Sequence, residues 1–194
     1  ISDNVFVGIQ GRTRQGRGAI FIWHDAKDCI VERNIIIDCD AGVCLGNPHK
    51  PSDVKTHCTD FIVRNNFITR GPQAGIVTVY TRDCKLLNNT IYDPQSRLRR
   101  LIRVVFDNDG LEVANNLLCG PDVRIESDSV IKRVGNVIGD MGSVLADPVC
   151  GNLHLTRADA RIVDKGIELA EIAEDIDGQR RVGRPDVGAD EFAE

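Results

Sequence analysis

One pattern constrains this chain more than any other, a repeat centred on asparagine. It runs Ile1-Ser2-Asp3-Asn4, Val31-Glu32-Arg33-Asn34, Val63-Arg64-Asn65-Asn66, Leu86-Leu87-Asn88-Asn89, Val113-Ala114-Asn115-Asn116 and, degenerately, Arg133-Val134-Gly135-Asn136. With the last Asn of each copy as anchor, an apolar residue stands three places before it in five of six copies. Two places after it come Phe6, Ile36, Ile68, Ile91, Leu118 and Ile138. An Asn flanked by two inward positions reads as strand, turn, strand. Successive anchors lie 30, 32, 23, 27 and 20 residues apart, the spacing of supersecondary units stacked into a solenoid.

The segments between anchors are short alternating β-branched runs bounded by Asn, Asp and Gly, not long stretches with helical periodicity. In a coil of such rungs each strand pairs in parallel with its equivalent one rung away, about 4.8 Å distant. The anchor side chains then stack and hydrogen-bond along the axis, and Asn also tolerates the left-handed backbone of a tight turn. The expected fold class is all-β, with about six rungs. An aromatic share of 5% suits a narrow coil lined by Val, Ile and Leu.

These Asn-Asn-Xaa-Ile rungs resemble the right-handed parallel β-helix repeat proteins of the pectin-lyase-like superfamily, over residues 1–140. A second resemblance lies in Asp147-Pro148, Gly151-Asn152-Leu153-His154-Leu155-Thr156, Asp175-Ile176-Asp177-Gly178-Gln179 and Pro185-Asp186-Val187-Gly188-Ala189-Asp190-Glu191-Phe192. It is similar to the closing segment of bacterial β-helix-repeat proteins that are often secreted. The resemblance implies a secreted, cell-surface or periplasmic location. It also implies that residues 141–194 cap the open last rung, whose bare strand edge would otherwise invite association. Ile1 already occupies an inward repeat position, so the first rung begins halfway round and further rungs are expected upstream. The sequence contains no membrane-spanning stretch.

Seven cysteines, at 29, 39, 44, 58, 84, 119 and 150, form neither a CxxC pair nor a zinc spacing. Cys29 and Cys84 share an apolar column with Phe61, Leu111 and Ile131, which points to buried thiols. Cys39 and Cys58 flank the longest insertion and would bridge only in an oxidising compartment. The net charge is −5 with 18 Arg and 6 Lys, and Arg clusters at Arg12, Arg14 and Arg17 and at Arg97, Arg99, Arg100 and Arg103. Nucleic acid is disfavoured as partner by the acidic balance and the lack of aromatics interleaved with the basic runs. Arg pairs with planar carboxylates, so an acidic polysaccharide fits better; solvated surface Arg is the plain alternative.

The strand opening each rung reads Ala19–His24, Gly42–Asn47, Gly75–Tyr80, Leu101–Phe106 and Asp122–Ser127. If Ile20, Val43, Ile76, Ile102 and Val123 face inward, an outward ladder runs through Phe21, Cys44, Val77, Arg103 and Arg124, with Trp23, Gly46, Val79, Val105 and Glu126 beside it. The opposite register buries the Val77-Thr78-Val79 rung better. Just past these strands lie His24-Asp25, Asn47-Pro48-His49-Lys50, Tyr80-Thr81-Arg82-Asp83 and Asp107-Asn108-Asp109, which stacking brings to one edge. The second rung also carries an insertion from Pro48 to His57, the kind of loop on which solenoids place binding surfaces.

In β-helix polysaccharide lyases the site lies on the outer face of one sheet. The resemblance therefore implies a lyase-like or epimerase-like activity on an acidic uronate polysaccharide, or else a non-catalytic, adhesin-like glycan-binding scaffold. Uronate chemistry needs a base for the C5 proton, a donor for the leaving oxygen and a cation on the carboxylate. By residue type and position, Lys50, His49 and Arg82 are the catalytic candidates, and Trp23, His24, Tyr80, Arg103 and Asp107 the substrate-binding ones. No family catalytic motif is matched residue by residue. Ca²⁺ would serve as an alternative neutraliser, but Asp107–Gly110 and Asp175–Gly178 both lack the terminal Glu of a twelve-residue calcium loop, so no residue is assigned to a metal. Asp25 and Asp107 lie rungs apart, too distant for paired-carboxylate hydrolysis.

Overall fold

The computed structural model describes residues 1–13, 18–69, 71–96 and 98–193. Arg14, Arg17 and Arg97, three members of the arginine clusters, lie outside the described residues. The described chain is all-β, with 3-10 turns only at Gly142–Val144 and Pro148–Cys150. Three parallel sheets carry the architecture. One holds Val5–Val7, Ile35–Ile37, Phe67–Thr69, Thr90–Tyr92, Leu117–Cys119 and Val137–Ile138 in that order, each strand paired with its equivalent in the next repeat. A second holds Ile30–Glu32, Ile62–Arg64, Lys85–Leu87, Glu112–Ala114 and Lys132–Val134. The third holds Gly18–Ile22, Ala41–Leu45, Ala74–Arg82, Ile102–Asp109 and Arg124–Glu126, extended by Ala26–Lys27 and Cys58–Thr59. Sheets whose strand order follows repeat order are compatible with a parallel β-helix.

The inward positions meet in one apolar core. Val31, Val63, Leu86 and Val113 come from the second sheet, Ile36, Ile68, Ile91 and Leu118 from the first, and Ile20, Val43, Ile76 and Ile102 from the third. Cys84, Phe61 and Leu111 fill one column, with Cys29 and Ile131 packed against it at either end. All seven thiols are free. Cys39 hydrogen-bonds to Ile37 O and Cys58 to Ile22 O, and the two are not bridged in this structure.

Between the first two sheets the anchors make a continuous ladder. The amide Nδ2 of Asn4 donates to Asn34 Oδ1 at 3.1 Å, Asn34 to Asn66 at 3.0 Å, Asn66 to Asn89 at 2.9 Å, Asn89 to Asn116 at 3.0 Å and Asn116 to Asn136 at 3.0 Å. Each Oδ1 also accepts the backbone N–H of the preceding anchor. The left-handed conformation falls on the residue before the anchor, at Asp3, Arg33, Asn65, Asn88, Asn115 and Gly135. Each Asn-Asn pair thus divides its work: the first turns the chain and the second bonds along the axis.

The first Asn of three pairs has a further task. Asn65 donates to Glu174 O, Asn88 to Asp186 O and Gly188 O, and Asn115 exchanges two bonds with Ile167. Residues 141–192 therefore lie along the flank of the stack, where the expectation placed them over its last rung. That rung leaves Val130 91% exposed. A second core forms where Met141, Val144, Leu145, Leu153, Ile162, Ile176, Val187 and Ala189 pack on Phe67, Leu117 and Cys119. Arg181, buried in this segment, donates to Glu191 Oε2 at 2.7 Å and to Gly188 O at 2.8 Å.

Candidate functional site

The third sheet adopts the expected register, with Phe21, Cys44, Val77, Arg103 and Arg124 aligned across it. Thr78 pairs with Leu45 and Val104 and faces inward, fully buried, its hydroxyl without a hydrogen-bond partner. The outward Val79 is covered as well, because Gly46 lies on it: a Cβ at Gly46, whose φ is +95°, would sit 1.9 Å from Val79 O. Only glycine fits there. Phe21, Cys44, Pro48, Val77, Arg103 and Val105 line a groove of about 160 Å³ on this face.

Past the groove the rungs present an aromatic column. Trp23 meets the His57 ring edge-on at 5.8 Å, His57 meets Tyr80 at 5.9 Å, and Tyr80 stacks on Phe106 at 4.9 Å with planes 9° apart. Tyr80 and Phe106 both hold left-handed φ, 52° and 55°, a strained state for aromatic residues. A bulge produces it: Val79 pairs with Val105 but Thr81 with Asn108, so Tyr80 stands opposite both Phe106 and Asp107. Asn108 stabilises the bulge by donating to Val105 O and Phe106 O. Asp107 stays exposed beside it.

The insertion supplies His57, which is wholly buried. Its Nδ1 accepts the His24 backbone N–H at 3.2 Å, and its Nε2 lies 3.0 Å from His49 O. A carbonyl can only accept, so the ring is neutral with its proton on Nε2. Burial pushes its pKa down, more than the bonds to Asn47 and His49 raise it, and the charges of His24 and Lys50 lower it further. Lys50 sits with Nζ 5.0 Å from the Tyr80 ring centre and donates to Val54 O at 3.3 Å, a cation held against an aromatic face.

The other candidates are placed differently. His49 contributes the carbonyl that orients His57, and its own N–H is held by Asn47 Oδ1. Arg82 lies 3.8 Å from Asp109. His24 packs edge-on against Trp23 at 5.8 Å. Arg103 borders the groove and donates to Glu126 Oε2 at 3.1 and 2.5 Å. Glu126 also meets Arg124 at 2.6 Å and Arg100 at 3.3 Å, so three guanidiniums share one carboxylate. The hydrogen bond from Arg103 holds the Glu126 carboxyl below its usual range. Two positive charges remain in excess there.

His57, Phe106 and Glu126 were not among the residues expected to bind substrate. Phe106 occupies the same place in its rung as Tyr80, a signal the sequence does carry. A wider hollow of about 400 Å³ in the C-terminal segment is lined by Asp186 and Glu191, among others. Those carboxylates are occupied in holding that segment: Asp186 accepts the N–H groups of Asp164 and Phe192, and Glu191 pairs with Arg181. No helix among the described residues is long and apolar enough to cross a membrane. Comparison with protein-family models, curated proteins and solved structures gave no match for this chain.

Proposed function

We propose that this chain is a right-handed parallel β-helix of the pectin-lyase-like kind, secreted or held at a bacterial cell surface or periplasm, that binds an acidic uronate polysaccharide along its third sheet. The observation that carries this reading is the Trp23–His57–Tyr80–Phe106 column with Lys50 on its face. It adjoins a groove edged by Arg103, which shares Glu126 with Arg100 and Arg124 in a surplus-positive cluster. Aromatic faces stack on sugar rings while cations pair with the carboxylates of each residue. The groove draws Phe21, Cys44, Val77 and Arg103 from four successive strands of the sheet, which suits a polymer laid across rungs.

Trp23 is the only tryptophan, so its fluorescence reports occupancy directly. Titration with alginate, pectate, hyaluronan and chondroitin is expected to give a saturable change with at least one polymer, weakened by Lys50→Ala and by added salt. A flat response to all four refutes the reading.

A lyase-like or epimerase-like activity is the second reading, favoured by the closeness of Lys50 and Tyr80. Of the three residues expected to do acid–base work, Lys50 is the one packed on the column, so Lys50 and Tyr80 form the pair to test as base and proton donor. Absorbance near 235 nm on the same polymers, with and without Ca²⁺, separates the cases. A rise lost in Lys50→Ala establishes β-elimination, whereas binding without a rise leaves epimerisation or the non-catalytic scaffold.

A further inference from the structure

Far from the groove, three chain segments converge on one point. His154 comes from the strand Asn152–Leu155, Asp177 from the turn after Asp175, and Asp190 from the closing segment. One ligand atom from each lies within 4.8 Å of the others. His154 packs edge-on against Phe67 of the stack at 4.9 Å, and Asp190, only 7% exposed, accepts the Leu155 N–H at 2.6 Å.

His154 Nδ1 lies 2.6 Å from Asn152 Oδ1, and that oxygen also accepts the His154 backbone N–H at 3.3 Å. The backbone N–H marks it as the amide oxygen, so Nδ1, hydrogen-bonded to the same atom, carries a proton. In the neutral ring Nε2 is then a bare lone pair. It faces Asp177 Oδ2 from 3.0 Å, a gap closed either by a second ring proton or by a bound cation.

We propose that His154 Nε2, Asp177 and Asp190 form a binding site for a first-row divalent cation such as Zn²⁺ or Mn²⁺. Ligands at about 2.1 Å from a metal stand about 3.0 Å apart at an octahedral angle and about 3.4 Å apart at a tetrahedral one, so the Nε2–Oδ2 separation of 3.0 Å fits the octahedral angle. The Nδ1–H bond to Asn152 is the outer contact that orients a ligating imidazole and fixes its tautomer. One nitrogen and two carboxylates suit Zn²⁺ or Mn²⁺ better than the all-oxygen shell of Ca²⁺.

The surroundings favour a cation too. Asp175 is buried beside the site and its oxygens accept from Asp177, Gln179 and Glu191 N–H groups. Arg181 is committed to Glu191 and backbone carbonyls. The ion would tie strand, turn and closing segment to each other and, through His154 on Phe67, to the stack.

The test is calorimetric titration of the chelator-treated protein with Zn²⁺, Mn²⁺ and Ca²⁺ in turn, beside Asp177→Asn and His154→Gln. Asp177 is half exposed, so its amide variant should keep the fold, which far-UV circular dichroism checks. One saturable site for Zn²⁺ or Mn²⁺, with Ca²⁺ weaker, is expected, and each substitution should weaken it at least about tenfold. No saturable binding up to about 1 mM, or equal affinity in both variants, overturns the proposal.

Discussion

Replacing Asn89 by Ala breaks the axial ladder at its centre, and the structure sets the size of the effect. The Asn89 side chain makes five hydrogen bonds. Its Oδ1 accepts from Asn66 N at 3.2 Å and Asn66 Nδ2 at 2.9 Å, and its Nδ2 donates to Val63 O, Leu87 O and Asn116 Oδ1. After truncation Asn66 Nδ2 keeps Val31 O and Arg64 O, and Asn116 Oδ1 keeps the Asn89 backbone N–H. The buried Asn66 backbone N–H is left without a partner, at about 1–3 kcal/mol, and the remaining lost bonds cost about 0.5–1.5 kcal/mol each, not all independently. The sum is about 3–6 kcal/mol, a large part of the roughly 5–15 kcal/mol that holds a domain folded. At a urea slope of about 2–3 kcal/mol/M, the unfolding midpoint falls by about 1–3 M. Asn4, exposed at the first rung, donates only to Ser2 O and Asn34 Oδ1, and Asn4→Ala should cost less than about 1 kcal/mol. Asn89→Asp should cost more than Ala at neutral pH, because a carboxylate would face three oxygens with no proton to offer, and should recover partly in acid. If Asn89→Ala and Asn4→Ala unfold within about 1 kcal/mol of each other, the ladder does not set the register of the rungs.

Gly46→Ala should destabilise by about 2 kcal/mol or more through strain at φ +95° and the contact with Val79 O, and should alter Trp23 emission as the insertion moves. Arg181→Ala removes a buried guanidinium and leaves the Glu191 carboxylate with the Asp186 N–H but no counter-charge; a loss of about 3–5 kcal/mol and earlier proteolysis after residue 141 are expected. The folded pKa of His57 is lowered, so the unfolded chain binds the proton more readily. Its contribution to stability is therefore complete above the ordinary histidine value of about 6.5 and is lost as pH falls below that. Urea midpoints at pH 7.5 and 5.5 should drop less in His57→Gln than in the parent, and an equal drop refutes the assignment.

The sequence declared the rungs because each repeats the same physical problem, an apolar residue on either side of a turn. The solution, an amide that accepts from one rung and donates to the next, is written in the residue type. The outward ladder from Phe21 to Arg124 followed from strand alternation. Thr78 defied the burial pattern because Gly46 and the insertion cover Val79, a tertiary contact that alternation does not encode. His57 and His49 could not be told apart by type, since both lie in the insertion; only the folded loop puts one ring in the column and the other's carbonyl on it. The docking of residues 141–192 along the flank has only a partial signal in the sequence. Ile35–Ile37 and Leu117–Cys119 are apolar on both faces, as strands covered on both sides are, but so is Val5–Val7, whose two valines stand exposed.

The bonds from Asn65, Asn88 and Asn115 to residues 174, 186, 188 and 167 change how such a stack comes apart. Rungs that touch only their neighbours can fray one at a time from either end. A splint fastened to three consecutive rungs forbids that in the middle, because opening any of them means lifting the splint from all. Amide hydrogen exchange should therefore give the backbone around Asn66, Asn89 and Asn116 one common opening energy, while the strands at Val5–Val7 and Val137–Ile138 open separately and sooner.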